Sequence, residues 1–348
     1  MNRLKLAVIG VGALGQHHAR ILSSMPEVEL VGVVDSREQQ GRDIAAKHGT
    51  QWFSTPDEIM SLVQGVVIAV PTICHHEVGM PFLNAGIAVL MEKPLANSLE
   101  AAQSLHKMAM FRRSVLQVGH VERFNPAFEL MQQKIDRPLY IRAQRVSPYT
   151  FRSTDIGVVH DLMIHDIDLV LALTGEAIVS VDSFGAVTFG PHEDMAVARL
   201  KTSSGIVADI TASRMSPVAD RTIQVFSTNG CVTADLNKRT VSCWQPAAPL
   251  AANPGRIQDI IAATPDPLTL KNEVFTKWIT NETHQASDAD ALTAELHDFV
   301  HCIQTNDRPR VSGKDAVKAL EVADRVLEGM AKWSWQDQRP NTAASEAA

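Results

Sequence analysis

A lysine at the end of an apolar run is the first residue whose placement points to chemistry. Ala88-Val89-Leu90-Met91 stops abruptly at Glu92-Lys93-Pro94. An apolar run of this kind between helical patterns reads as a buried parallel strand. Lys93 then stands at the strand's carboxyl end, where ligands bind in open α/β sheets. Pro94 has no backbone donor and fixes the chain just after the lysine. A second group of reactive types lies in Val159-His160-Asp161-Leu162-Met163-Ile164-His165-Asp166-Ile167-Asp168-Leu169-Val170. At about 100° per residue, Asp161, His165 and Asp168 share one narrow stripe of a helix. Apolar residues, from Leu162 to Leu171, cover most of the remaining circumference. Such a helix is buried, and buried Asp and His need partners or a polar cavity. The stripe therefore reads as the wall of a cleft, with an imidazole able to exchange protons near neutral pH. A surface lysine and a satisfied core histidine are the plain alternatives.

The N-terminal stretch supplies what that cleft would hold. Leu4 to Ile9 reads as a buried strand running into Gly10-Val11-Gly12-Ala13-Leu14-Gly15, with a helical pattern to about Met25. Strand, G-x-G-x-x-G and helix in this order form a dinucleotide-binding turn. Gly10 permits the tight turn, Gly12 lets a pyrophosphate approach the backbone, and Gly15 allows close helix–strand packing. Ala13 and Leu14 complete the loop, and the helix N-terminus offers amides to the phosphates. A second strand, Val28 to Val34, ends in Asp35, twenty residues after Gly15. A carboxylate there accepts from the ribose hydroxyls and repels a 2′-phosphate, which favours NAD over NADP. Arg37 close by weakens that discrimination. Gly65 to Val70 reads as a third strand, ending at Pro71-Thr72. Pro71, Thr72, His75, Glu92 and Lys93 complete the expected cofactor-binding set. Cys74-His75-His76-Glu77 has metal-ligand types, but neighbours on one helical turn point apart and no second cluster completes a shell. No metal is expected.

The remaining elements must position these groups. A helix to about Asn84 precedes the Lys93 strand, Asn97-Ser98 caps a helix to about Arg112, and Ser114 to Val118 is a further strand. From Leu139 the pattern changes to successive strand-like segments at 139–146, 178–189, 194–201, 205–214, 221–228, 231–235 and 239–244. Turn residues such as Ser203-Ser204-Gly205 and Thr228-Asn229-Gly230 separate them. One helix, His160 to Thr174, interrupts the series and is closed by Gly175. Residues 245–270 read as a long loop, 287–305 and 313–333 as helices, and 339–348 as a disordered tail. A chain of 348 residues suits two domains. The expected fold is α/β: an N-terminal Rossmann domain with a parallel sheet over 1–120, and a C-terminal α+β domain with an open, mostly antiparallel sheet over 121–338. A net charge of −7 argues against nucleic acid or an anionic membrane as partner. No apolar run is long enough to span a bilayer, and Met1-Asn2-Arg3 passes directly into a strand pattern without a signal peptide. Four scattered cysteines read as reduced thiols of a cytoplasmic protein.

Three of these stretches together resemble the Gfo/Idh/MocA family of nicotinamide-dependent oxidoreductases: Val8-Ile9-Gly10-Val11-Gly12-Ala13-Leu14-Gly15, Glu92-Lys93-Pro94, and Asp161-Leu162-Met163-Ile164-His165-Asp166. The resemblance covers about residues 3 to 335. It implies that Lys93, Asp161 and His165 are the catalytic lysine, aspartate and histidine, and that the second domain's sheet supports a homodimer or homotetramer. Residues 119–126 and 155–166 are most similar to those of family members that oxidise the 3-hydroxyl of UDP-N-acetylglucosamine. Such members feed a PLP aminotransferase that makes a 3-amino sugar for lipid A. The implied reaction moves a hydride from a secondary carbinol to NAD, with His165 as base, Asp161 orienting it and Lys93 holding the carbinol oxygen; lysine and histidine could exchange roles. Lys93, Glu122, Arg123, Asn125, Tyr149, Asp161 and His165 form the expected substrate-binding set. The alternatives are a dehydrogenase of a free polyol or aldose such as inositol, and a non-catalytic dinucleotide-sensing regulator on the same fold.

Overall fold

The computed structural model describes residues 3–150, 156–251, 255–264 and 266–332. Asp155 and the expected tail at 339–348 lie outside them. The chain divides into two compact units. The first runs to Phe124 and is joined again by Ala289–Asp324. Its strands and helices alternate: β1 (Leu4–Ile9), α1 (Gly15–Ser24), β2 (Val28–Val34), α2 (Glu38–His48), β3 (Gln51–Phe53), β4 (Gly65–Ile68), α3 (His75–Asn84), β5 (Ala88–Glu92), α4 (Leu99–Arg112) and β6 (Leu116–Gly119). All six strands are parallel, in the order β3-β2-β1-β4-β5-β6. The chain builds outward from β1 through β2 to β3, then returns to add β4 on the other side. The carboxyl ends of β1 and β4 thus flank the switch point, where an open α/β sheet binds its ligand. β1, β4 and β5 are almost wholly buried, as their unbroken apolar runs require. Ser98 caps α4 by accepting from the Ala101 N–H, as its sequence signal indicates. The short strand β3 carries no apolar run and is absent from the sequence reading. β4 ends two residues before the expected Val70.

The second unit comprises Asn125–Asp288 and the chain from Arg325. It contains α5 (Pro126–Lys134), β7 (Pro138–Val146), α6 (Ile164–Thr174), β8 (Ile178–Ala186), β9 (Met195–Thr202), β10 (Val207–Ser213), β11 (Asp220–Ser227), β12 (Gly230–Asp235) and β13 (Thr240–Pro246). Three short helices follow, α7 (Ala248–Ala251), α8 (Arg256–Ala263) and α9 (Pro267–Glu273), and then β14 (Ile279–Gln285). The eight strands are ordered β14-β13-β12-β11-β7-β10-β9-β8. β7 and β10 pair in parallel and the other neighbours antiparallel. One face buries Ile141, Ala143, Ile210, Ala212, Ile223 and Val225. The segment expected to be a loop at 245–270 is therefore largely helical, and β14 was unforeseen. Its sequence, Ile-Thr-Asn-Glu-Thr-His-Gln, has almost no apolar residues and is nearly all exposed, so periodicity could not reveal it.

The largest departure concerns the two final helices. α10 (Ala291–Thr305) and most of α11 (Gly313–Ala331) belong to the first unit, not to a second domain running from 121 to 338. Leu296, Phe299 and Val300 of α10 share one core with Leu6, Val8, Leu22, Val33 and Leu90. An amphipathic pattern shows that a helix has an apolar face, not which sheet that face will cover.

Candidate active site

The first unit gathers the cofactor residues on one edge, because β1, β2, β4 and β5 are parallel and end there. Gly10, at φ +82°, makes the turn out of β1. A Cβ on Gly15 would land on the Gly10 carbonyl oxygen, so only glycine lets α1 start this close to the strand. Leu14 gives α1 no side-chain cap, and the positive end of the helix dipole faces the turn where an anion would sit. Asp35, only 6% exposed, stands at the end of β2. Its carboxylate accepts the Val11 N–H at 3.0 Å on one oxygen. On the other it accepts the Arg37 N–H at 2.9 Å and Nε at 3.3 Å. Burial works against its charge, but these donors outweigh it and hold the carboxyl below the usual range. The turn, the uncapped helix and this fixed acceptor fit the pyrophosphate and adenosine ribose of NAD.

Glu92 and Lys93 stand at the end of β5, with Pro71 and Thr72 just beyond β4. His75, expected to line the cofactor cleft, is instead buried, at 1% exposure. Its Nδ1 lies 2.9 Å from the Pro94 carbonyl and its Nε2 3.0 Å from the Val70 carbonyl. The ring therefore ties the loop after β4 to the loop after β5. Burial pushes its pKa down, while the two carbonyls and the Glu92 charge pull it back up. Glu122 is buried in the 3₁₀ turn Val121–Phe124 beside the half-buried Arg123.

The second unit carries the other group. The expected helix from His160 is a wide π turn over Val159–Met163 before α6 proper. A π turn adds a residue and shifts the angular phase, and such turns recur at functional sites. The three residues of the predicted stripe differ in burial. Asp161 and His165 remain partly exposed, whereas Asp168 is buried. Asn125, placed in the substrate set, is buried at the start of α5. Its Oδ1 accepts the Ala127 N–H at 3.0 Å, capping α5, and its Nδ2 donates to the Leu236 carbonyl at 3.2 Å. Tyr149 packs edge-on against Phe189, with centroids 5.2 Å apart, and the Arg214 guanidinium lies 5.1 Å from its ring.

Three supports of this helix escaped the sequence reading. Arg145 makes a two-pronged buried pair with Asp166, at 3.0 and 2.9 Å. Arg214 Nε donates to Asp194 at 2.7 Å, and its Nη1 donates to the Ile156 carbonyl at 3.1 Å. Glu193 accepts the Val159 N–H at 3.0 Å. One signal was available: Ile141, Ala143 and Arg145 alternate onto the same face of β7, so an arginine faces the core and requires a partner.

Comparison with known proteins fits both units. Residues 4–120 match the oxidoreductase family with an NAD-binding Rossmann fold, and residues 131–233 match the GFO/IDH/MocA C-terminal domain. Over 304 residues the chain is 32% identical to the UDP-N-acetylglucosamine 3-dehydrogenase of Acidithiobacillus ferrooxidans, covering 87% of this chain and 90% of that one. The chain belongs to the GFO/IDH/MocA family. The solved structure of that A. ferrooxidans enzyme aligns with a TM-score of 0.84 at 30% identity, covering 95% of this chain and 99% of the other. Another GFO/IDH/MocA relative, the scyllo-inositol 2-dehydrogenase (NAD(+)) of Bacillus subtilis, is 28% identical over 341 residues, 92% of each chain. This GFO/IDH/MocA member is thus an NAD-dependent dehydrogenase, and the alternative of a non-catalytic sensor falls away.

Proposed function

We propose that this dehydrogenase oxidises the 3-hydroxyl of UDP-N-acetylglucosamine to the 3-keto sugar. The observation that carries the reading is similarity, along most of both chains, to an enzyme named for that reaction. NAD, when bound, accepts the hydride. His165 takes the hydroxyl proton, as an imidazole can at neutral pH. Asp161 orients the ring. Lys93 holds the carbinol oxygen and stabilises its developing negative charge. Glu122, Arg123 and Tyr149 contribute to the sugar-nucleotide pocket, with Arg123 as a phosphate anchor. The ketone is best consumed by a PLP aminotransferase, giving a 3-amino sugar of the kind used in lipid A. Oxidation of a secondary alcohol by NAD is usually unfavourable near neutral pH, so such a sink would draw it forward. The second reading is oxidation of a free polyol, supported by the similarity to the inositol dehydrogenase.

The test is NADH production with UDP-N-acetylglucosamine, inositols and free aldoses, followed by mass spectrometry after an aminotransferase and its amino donor are added. An amine at the sugar's 3-position is expected. Turnover of inositol or an aldose, with no ketone or amine on the nucleotide sugar, would replace this reading with the second.

A further inference from the structure

One edge of the second unit's sheet gathers apolar side chains at its surface. β7 and β10 run parallel and β9 antiparallel to them, so the ends of β7 and β10 lie beside the start of β9 and the turn that joins it to β8. Val187, Met215 and Val218 are exposed along this edge, and Phe189, on the turn, is 63% exposed. Phe189 stands edge-on to Tyr149, which follows β7. The backbone beneath these side chains is firmly held. The Asp194 carboxylate accepts the Thr188 and Phe189 N–H groups at 2.6 Å and the Arg214 Nε at 2.7 Å. The Ser147 N–H donates to the Ser213 carbonyl and the Ser216 N–H to the Ser147 carbonyl. The same turn is joined to the π turn that carries Asp161. The Val158 N–H donates to the Glu193 main-chain carbonyl at 3.0 Å, the Val159 N–H to the Glu193 carboxylate at 3.0 Å, and Arg214 Nη1 to the Ile156 carbonyl at 3.1 Å. A Cβ on Gly157 would collide with the Glu193 carboxyl, so glycine permits this close approach. Exposed apolar side chains grouped on a fixed backbone beside functional residues mark a binding surface.

We propose that Phe189, braced edge-on by Tyr149, is the platform on which the uracil ring of the nucleotide-sugar substrate stacks. The inference rests on the reading of the substrate as UDP-N-acetylglucosamine. That molecule has one flat aromatic part, an anionic diphosphate and a polar sugar. The edge offers apolar surface, and its Arg214 is paired with Asp194, so it suits the uncharged ring and not the diphosphate. Every nucleobase has a π face, so stacking gives affinity without base-specific hydrogen bonds. The bonds from this turn to Ile156, Val158 and Val159 put the platform in one framework with Asp161 and α6, so one frame holds both the base and the reacting carbinol. A free polyol has no ring for such a platform to hold.

The test titrates UDP by calorimetry into the full chain saturated with NAD, so that the dinucleotide site is already filled. Phe189→Ala should weaken UDP about 10-fold or more, and Phe189→Tyr, which keeps an aromatic ring, should stay within about 2-fold. 5,6-Dihydro-UDP, whose base is no longer aromatic, should bind the unmutated protein weakly. It should lose little more in Phe189→Ala, because the ligand ring and the side chain are coupled. With UDP-N-acetylglucosamine as substrate, kcat/KM of Phe189→Ala should fall mainly through KM, as expected for lost binding. If Phe189→Ala does not fold, Phe189→Leu makes the same comparison with a side chain that cannot stack. Unchanged UDP affinity in Phe189→Ala, an equal loss in Phe189→Tyr, or an equal loss of UDP and dihydro-UDP overturns the platform and leaves the substrate reading standing. A change in sedimentation of Phe189→Ala with UDP affinity kept also overturns it, and assigns the ring to contact with a second copy. An unmutated protein that oxidises an inositol and does not bind UDP removes the substrate reading, and the platform with it.

Discussion

Asp35 acts through where its oxygens are held. The Val11 N–H and the Arg37 donors keep it ionised at the end of β2. Asp35→Ala should weaken NAD by about 1–3 kcal/mol, the scale of lost charged hydrogen bonds. Calorimetry reads this, and comparable kcat/KM with NADP in the unmutated protein would refute the NAD preference. The same contacts have a pH signature. A carboxyl whose pKa is lower folded than unfolded stabilises the fold fully above its unfolded value, about 3.9. That contribution fades as pH falls through the lower folded value. The stability difference between the protein and Asp35→Asn should therefore be complete at neutral pH and vanish in strong acid. Lys93→Ala and His165→Ala should each lower kcat by about 10²-fold or more while NAD still binds, as expected for lost electrostatic or proton-transfer help. Near-normal turnover in both would remove them from the chemistry.

Whole elements carry the constraints that these residues cannot supply. The π turn and α6 are tied to β7 through Arg145 and Asp166, 3% and 1% exposed. Asp166→Ala would leave a buried guanidinium uncompensated, so urea unfolding should show a loss of about 3–5 kcal/mol. A loss under about 1 kcal/mol would mean that the pair is exchangeable for water, as surface pairs are. α10 buries the Glu295 carboxyl completely, with its main-chain carbonyl accepting from Gln117 of β6. Its raised pKa means that the folded state binds a proton the unfolded chain releases above about pH 4.3. Stability should then fall as pH rises above the unfolded value toward the raised folded one, by at most about 1.4 kcal/mol per unit for one proton. Glu295→Gln should flatten that slope in urea titrations, with His18, Glu92 and Asp298 left unaltered. An unchanged slope would show that the carboxyl is already ionised.

At the scale of the molecule, the eight-stranded sheet has one buried face and one half-exposed face. Strand register aligns Tyr140, Phe226, Cys231 and Trp244 in a row across β7, β11, β12 and β13 of the latter. Tyr140 and Phe226 rings lie 5.7 Å apart, and Phe226 and Trp244 are 38% and 36% exposed. Such a row suits burial against another copy of the sheet. Sedimentation should find a homodimer or homotetramer, and Phe226→Asp should shift it toward monomer. A monomeric unmutated protein would rule this out.

Local order alone was enough to specify the nucleotide half of the site. Gly10, Asp35 and Lys93 directly follow β1, β2 and β5, and parallel strands joined by helices must end on one edge. The same reading failed wherever a contact joined distant segments. Nothing near residue 295 reveals that a helix there returns to the core of the first sheet. The bonds of Asn125 to Ala127 and Leu236 could not be foreseen, because the second depends on where α5 lies. His75 looked like a cleft residue because the two carbonyls that enclose its ring sit on separate loops. Periodicity also assumed an ideal helix, and it showed neither the π turn at Val159–Met163 nor that Asp168 is buried while Asp161 and His165 are partly exposed. Sequence spacing encodes direction along one element, whereas burial and pairing are set by which elements meet.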